Sequence, residues 1–290
     1  MVYIEKNDKP NLLENIFNII KINGNTVYLP ISANNVNISN GNIYKMTDKK
    51  IKENNKKTEK LAKKINKLIP KLSTSKKVVL SKEIKKENVF VNYLNSYGYE
   101  IADGKWLSEI LLTDIIESIV KQNNIEKTNI SILINDITEI EYQNIKILAE
   151  RYLNLNIVTN HIEKFKKLEA QLLEEGIAII VTNNKRKSLI KSEIIINIDF
   201  PNEIFNKYRL NEDAIIISLK MPIKINQKRF NGKLIKNYEI SYRSEICDEK
   251  YFSGNYYLKD LYESQIYKHN TFKDLRDKTK KDLVKVMSLT

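Results

Sequence analysis

Cysteine, histidine and glycine are all scarce in this chain of 290 residues, and each scarcity excludes a class of site. The single cysteine, Cys247, rules out an internal disulfide, and with only two histidines beside it we predict no metal site. The seven glycines include no Gly-Lys-Ser or Gly-Lys-Thr run, which excludes a P-loop.

Long apolar runs are missing as well. The longest, residues 177–181 and 214–217, have the length of a strand, whereas a membrane span needs about 20 apolar residues, so we predict no membrane span. The first six residues contain no basic region followed by an apolar stretch, and we expect no signal peptide. With one cysteine, the expected location is the reducing cytoplasm.

Arginine is rare although the chain is basic. The net charge is +13, but only six of the basic residues are Arg, the residue best suited to bidentate recognition of phosphates and bases. Much of the excess lies in residues 45–87, which hold sixteen Lys and five acidic residues, a net of +11. Within it, residues 48–69 are predicted to form a basic helix that ends at Pro70. Its lysines are either a solvated helix face or a surface for nucleic acid or an anionic membrane.

The most regular pattern lies between residues 129 and 219, where apolar strands alternate with helices. The strands are continuous apolar runs, typical of parallel strands covered on both faces, and short connections favour right-handed crossovers. The sequence therefore predicts an α/β fold with a Rossmann-like, doubly wound parallel sheet. Its five predicted strands are residues 130–134, 155–159, 177–182, 193–198 and 214–219.

This pattern divides the chain into three parts. Residues 1–122 are predicted to form a smaller α/β domain that ends in a linking helix over 106–122. Residues 123–220 form the Rossmann-like domain, and residues 221–290 form a mainly helical segment that packs on both, with helices over 256–268 and 272–287.

Small polar residues follow the predicted strands. Ligands of open parallel sheets bind at the carboxyl ends of the strands, so these residues are the candidate cofactor site. Alternatively, they are polar strand exits and helix caps. The candidates are Asp136, Thr138, Thr159, Asn160, His161, Thr182, Asn183 and Asn197.

Two of these strands carry a resemblance to known families. Residues 156–164, Asn-Ile-Val-Thr-Asn-His-Ile-Glu-Lys, resemble the second strand of shikimate dehydrogenase and glutamyl-tRNA reductase, where an Asn-Arg-Thr type ending holds the NADP phosphate. Residues 191–201 resemble their fourth strand, which ends beside the nicotinamide. The resemblance implies two domains and NADP or NAD as cofactor. The whole chain also resembles a protein family of clostridia, low-GC Firmicutes, which implies no activity by itself.

The first crossover departs from the dinucleotide pattern. Residues 135–141, Asn-Asp-Ile-Thr-Glu-Ile-Glu, contain no glycine, so a pyrophosphate would meet the β-branched Ile137. Thr138 and Glu141 fit a capping box, which satisfies the amides that a phosphate would otherwise take. His161 stands where the resembling families have the phosphate-binding Arg. This helix start is therefore predicted to cap itself.

Three functional hypotheses follow. In the first, the protein is a non-catalytic regulatory or scaffolding protein with a degenerate cofactor site. In the second, it is an NAD(P)-dependent oxidoreductase-like enzyme acting on a small molecule in the crevice at the strand ends or between the domains. In the third, the lysine-rich segment 45–87 binds nucleic acid or an anionic surface. No catalytic residue is predicted, and a homo-oligomer is compatible with all three.

Overall fold

The structure, a computed structural model, describes residues 1–6, 20–29, 48–125, 129–243, 254–266 and 271–290. Cys247, His269 and the start of the basic segment, residues 45–47, lie outside the described residues. The chain divides into two units, one made of residues 1–104 and 244–267 and the other of residues 105–243 and 268–290. The helical region over 105–122 therefore belongs to the second unit.

The first unit has an α/β architecture, one five-stranded sheet with helices. Its described elements are β1 (Val2–Lys6), β2 (Lys21–Asn23), β3 (Thr26–Leu29), α1 (Asp48–Leu72), β4 (Lys77–Leu80), α2 (Lys82–Lys85), α3 (Asn88–Ser96), β5 (Glu100–Ile101) and α10 (Leu258–Ile266). The strands lie in the order β2-β3-β1-β4-β5, and all are parallel except the edge strand β2. Strand β1 therefore lies in the centre of the sheet, with β2 and β3 on one side and β4 and β5 on the other.

Helix α1 covers this sheet with its apolar face. Leu61, Ala62, Ile65 and Ile69 are buried in the core of the unit, and the lysines between them are exposed. The prediction that Pro70 ends this helix is wrong, because the helix continues to Leu72.

Proline has no backbone N–H, so the carbonyl of Asn66, four residues earlier, loses its helical donor. The Tyr99 hydroxyl lies 3.3 Å from this carbonyl oxygen and 3.0 Å from the Asn66 Oδ1 atom. The hydroxyl thus places a donor beside the carbonyl oxygen that the proline leaves without its helical partner.

The second unit begins with two consecutive helices and alternates strands and helices thereafter. Its described elements are α4 (Lys105–Ile110), α5 (Leu112–Gln122), β6 (Asn129–Leu133), α6 (Glu139–Arg151), β7 (Asn154–Val158), α7 (Ile162–Glu174), β8 (Ile180–Thr182), α8 (Lys185–Lys191), β9 (Ile194–Asn197), α9 (Ile204–Lys207), β10 (Ile215–Ile217), β11 (Lys233–Ile235), β12 (Tyr238–Ser241), α11 (Phe272–Lys281) and β13 (Lys285–Leu289).

The main sheet of this unit has six strands in the order β11-β10-β9-β6-β7-β8, and every neighbouring pair is parallel. Read in chain order from the far edge, this is 3-2-1-4-5-6, the strand order of Rossmann-type sheets. Strands β6, β9 and β10 are almost entirely buried, as continuous apolar runs require. The predicted α/β, Rossmann-like parallel sheet is confirmed.

Four details differ from the predictions. The helix over 106–122 is interrupted at Leu111, and both of its segments, α4 and α5, pack against α6. The strand predicted over 177–182 is shorter, Ile180–Thr182, and lies at the sheet edge. Strand β11 is not among the predicted strands, and a side chain at Gly232, just before it, would overlap the Ala214 carbonyl oxygen.

The fourth difference is the C-terminus, where the helix predicted over 272–287 ends at Lys281. Leu283 has a left-handed φ of 53°. The Leu283 and Val284 amides donate to the Lys280 and Thr279 carbonyl oxygens at 3.0 Å each, the hydrogen bonds of a Schellman motif. The chain then reverses, and β13 pairs antiparallel with β12.

Candidate functional site

The ligand-binding position of a Rossmann-type sheet is the point where the strand order reverses, which here lies between β6 and β9. Leu133 at the end of β6 pairs with Asn197 at the end of β9, so the turns that follow the two strands meet at the same sheet edge. One turn begins with Asn135 and Asp136, and the other contains Asp199.

The carboxylate of Asp199 occupies the donors of the first turn. It accepts the Asn135 backbone N–H, at 2.9 and 2.8 Å to its two oxygens, and the Asp136 backbone N–H at 2.9 Å. The Asn135 side-chain amide adds a fourth contact at 3.1 Å. In a dinucleotide-binding fold the backbone of this turn approaches the pyrophosphate. Here an internal anion takes these amides.

The start of α6 is capped in the same internal manner. Thr138 is the N-cap and Glu141 the third helical residue of a capping box, as predicted. The buried Glu141 carboxylate accepts the Thr138 backbone N–H at 3.0 Å and also contacts the Thr138 hydroxyl. Burial opposes ionisation of Glu141, but the hydrogen bonds from Thr138 and the charge of Lys220 outweigh it and lower the pKa.

Lys220 joins this capping box to α4. Its Nζ atom lies 2.7 Å from the Glu109 carboxylate and 3.3 Å from Glu141. Burial alone would lower the pKa of Lys220, but the hydrogen bond and charge of Glu109, together with the charge of Glu141, raise it. The three groups therefore form a charged cluster beside the switch point, with two carboxylates and one ammonium.

A narrow cleft lies against this cluster. Its volume is about 20 Å³, about enough for one water molecule. Among its lining residues is the buried Asn144, whose amide donates to the Glu109 carbonyl oxygen at 2.7 Å while its Oδ1 atom has no hydrogen-bond partner within the described part of the chain. Apolar side chains also line the cleft, and it is too small for an organic substrate.

The ends of β6, β7 and β8 are linked through side chains. The Asn160 backbone N–H donates to the Asn135 Oδ1 atom at 3.0 Å, and Lys185 donates to the Asn160 Oδ1 atom at 2.7 Å. Asp136 is exposed and pairs with Lys164 at 2.6 Å, and the hydrogen bond and charge of that lysine lower its pKa. These contacts connect three strand ends through the protein's own side chains.

The threonines and His161 have local roles in the backbone. Thr159 is buried, and its hydroxyl accepts the His161 backbone N–H at 3.0 Å. The Thr182 hydroxyl accepts the Asn184 backbone N–H at 3.1 Å, while Asn183 is exposed beside it. His161 is the exposed N-cap residue of α7 and makes no side-chain capping bond.

Asn197 makes its hydrogen bonds to its own turn and to Ser218. Its buried amide group exchanges hydrogen bonds with the backbone of Phe200, at 3.0 Å in each direction, and donates to the Ser218 hydroxyl at 3.1 Å. It locks the turn after β9 onto the neighbouring strand.

Asp199 lies within residues 191–201, the segment that resembles a fourth strand, but it was given no role from the sequence, and Glu109 and Lys220 were missed. Lys220 and Glu109 are 111 positions apart in the chain, and no local pattern marks the pair. The signal that the sequence offered was that Asp199 directly follows the strand predicted over 193–198, while the turn after the first predicted strand contains no glycine.

No family model matches the chain, and no curated protein sequence does. Solved structures with a similar arrangement include a dipicolinate synthase polypeptide from Bacillus halodurans, with 12% identity over 69% of this chain and 65% of that chain and a TM-score of 0.38. D-arabinose dehydrogenase from Sulfolobus solfataricus has 15% identity over 62% of this chain and 55% of that chain, with a TM-score of 0.33. The matched part is less than two thirds of either structure.

Likeness of this size carries no argument about function, and the Rossmann-like assignment rests on the strand order described above. The resemblance to shikimate dehydrogenase and glutamyl-tRNA reductase stays a prediction. Among the described residues, no helix is long and apolar enough to cross a membrane, and no group of three His, Cys, Asp or Glu side chains is placed to hold a metal ion.

Proposed function

We propose that the Rossmann-like unit is a non-catalytic regulatory or scaffolding module, in which the protein's own carboxylates replace the phosphates of a bound cofactor. The observation that carries the proposal is the Asp199 carboxylate on the Asn135 and Asp136 amides. A cofactor phosphate would have to displace it.

Electrostatics support the same conclusion. A pyrophosphate at this turn would approach Asp136, Glu139, Glu141 and Asp199, and like charges at short range repel. Lys164 and Lys185 lie near the strand ends and already bind Asp136 and Asn160. Lys220 is likewise taken by the carboxylates of Glu109 and Glu141. The donors and cations at this turn are therefore already taken by internal contacts.

The test is whether NADP or NAD binds to the full chain. Binding is measured from the thermal stability of the protein and from the fluorescence of Trp106, the single tryptophan. A ligand that binds the folded state raises its apparent stability. We expect no shift at millimolar cofactor. A saturable shift with the unmodified protein would refute the proposal and favour the second hypothesis, an NAD(P)-dependent oxidoreductase-like enzyme.

A variant series separates the fold from the loss of the site. Asp199→Asn combined with Asp136→Gly removes two negative charges and lets a phosphate approach the backbone. Asp213→Asn, an exposed substitution in the same unit, is the matched control. We expect weak cofactor binding to appear in the double variant and not in the control.

The third hypothesis has its own observation. The exposed face of α1 carries Lys56, Lys57, Lys60, Lys63 and Lys64. Lys63 pairs with Glu59, one turn earlier on the helix, at 2.6 Å. Salt-sensitive binding to DNA or anionic vesicles that disappears when these lysines are changed to Gln would support this hypothesis.

A further inference from the structure

The first unit has a strand-order reversal of its own. The chain leaves β1 for β2 and β3 on one side and returns to β4 on the other, so the reversal lies between β1 and β4. These two strands are parallel, with Ile4 opposite Leu80, and the Ser81 backbone N–H extends the pairing to the Ile4 carbonyl oxygen at 2.9 Å. Their carboxyl ends meet at one sheet edge, the usual position of a ligand in an open parallel sheet.

A crevice opens at this edge, and we call it the lysine crevice. Its volume is about 270 Å³, at the lower end for pockets that bind small molecules. It is far larger than the cleft of about 20 Å³ beside the switch point of the second unit. It is lined by Glu5, Lys6, Ser81, Lys82, Glu83, Lys86, Gly254 and Asn255.

Two cations of the lysine crevice have no carboxylate partner among the residues that the structure describes. Lys6 pairs with Glu83 at 3.0 Å. Lys82, which is half-buried, and Lys86, which is exposed, make no ion pair with any residue in the described ranges. The Lys82 backbone is fixed by its N–H, which donates to the Asn255 carbonyl oxygen at 2.8 Å.

Further positive charge surrounds Lys82. Its ammonium lies 5.2 Å from the centre of the Tyr257 ring, and those of Lys85 and Lys259 lie 5.6 and 5.8 Å from the same ring. Lys85 is neutralised by the buried Asp260 at 2.5 Å. The crevice lining holds three lysines and two carboxylates, those of Glu5 and Glu83, and this net positive charge attracts an anion.

We propose that the lysine crevice binds a small molecule carrying a phosphate group, held by Lys82 and Lys86. Lysine ammonium groups bind phosphate as point charges with rotatable donors. The Ser81 hydroxyl accepts the Ile84 backbone N–H at 3.5 Å as a helix cap, so the two lysines supply the recognition. The volume limits the organic part to a few carbon atoms beyond the phosphate.

The experiment uses the full chain and two probes at constant ionic strength. The first probe is inorganic phosphate, with chloride as its control, and the second is glycerol phosphate, with glycerol as its control. Calorimetry and thermal stability measure binding. We expect both phosphates to bind, and glycerol phosphate more tightly, whereas tighter binding of inorganic phosphate would assign the site to the free ion.

Lys82→Gln and Lys86→Gln should each weaken phosphate binding about tenfold, the effect of losing one hydrogen bond to a charged group. Lys71→Gln, an exposed lysine outside the crevice, is the matched control and should bind as the unmodified chain does. Equal binding by all four proteins, or no binding at millimolar phosphate, would overturn the proposal. Circular dichroism confirms that each variant is folded. Neither result depends on the proposed function of the Rossmann-like unit.

Discussion

Replacing Asp199 by Ala removes the anion that holds the turn after β6. Three N–H donors lose a charged acceptor, those of the Asn135 and Asp136 backbone and of the Asn135 side chain. A hydrogen bond to a charged group contributes about 1.5–3 kcal/mol, but water can replace part of it because Asp199 is half-buried. We therefore expect a loss of about 2–3 kcal/mol in the free energy of unfolding, and about 1 kcal/mol for Asp199→Asn, which keeps one acceptor oxygen.

Urea unfolding followed by Trp106 fluorescence measures this loss, because the single tryptophan lies in α4 of the same unit. Asp213→Ala, at an exposed position of that unit, is the control. Hydrogen exchange of the Asn135 and Asp136 amides should accelerate in the variant. If Asp199→Ala unfolds within about 0.5 kcal/mol of the unmodified chain, as an ordinary surface substitution does, the carboxylate is not what holds the turn.

Three further predictions concern single side chains. Glu141→Gln should lower the free energy of unfolding by about 1 kcal/mol, because it weakens the capping box. Since the folded pKa of Glu141 is lowered, its contribution to stability is present above the ordinary value of 4.5 and is lost as the pH falls through the folded pKa. Urea unfolding at neutral and acidic pH checks this, and a variant whose stability falls at acidic pH just as that of the unmodified chain does would contradict it. Burial raises the pKa of Asp260 from 3.8 to about 6; the charge of Glu263 also raises it, and the charges of Lys85 and Lys259 lower it. Between pH 3.8 and about 6 the folded state therefore binds a proton that the unfolded state does not, and stability falls as the pH rises through this range. The loss is at most about 3 kcal/mol, at 1.36 kcal/mol per pKa unit, and Asp260→Asn should flatten this pH dependence; an identical pH profile would count against it. Leu283→Gly should raise stability by about 1 kcal/mol, since it relieves the left-handed φ of 53° at a half-exposed position, and a lower melting temperature would show that the Leu283 side chain matters more than the strain.

The central sheet was predictable because its signal is repeated. Each of the five predicted strands overlaps an observed one, from β6 to β10, because buried parallel strands are continuous apolar runs and the connecting helices are amphipathic. Strand β11 was missed because it has three residues and follows an Asn-Gly pair that is typical of turns. The C-terminal strand β13 was missed because the break at Leu283 uses a residue that rarely adopts left-handed φ.

The candidate site was predictable only in its local part. The capping box of Thr138 and Glu141 is a spacing within four residues, and sequence alone identifies it. The contacts of Asp199 with Asn135 and of Lys220 with Glu109 join positions 64 and 111 residues apart, and they depend on how distant elements pack, which no local sequence pattern specifies. Polar residues at strand ends identify the correct edge of the sheet, but not which of them satisfy one another.

The two strand-order reversals of this chain differ in their charge. At the reversal of the second unit, Asp199 takes the Asn135 and Asp136 amides, and Lys220 bridges two carboxylates. At the reversal of the first unit, Lys82 and Lys86 have no carboxylate partner among the described residues, and a crevice of about 270 Å³ remains open. An anion gains little binding free energy at an edge where the protein already supplies a carboxylate. It gains most at an edge where cations without a carboxylate partner lie beside an open volume. If this chain binds a phosphate, the physical chemistry of the two edges places it on the first sheet rather than on the Rossmann-like one.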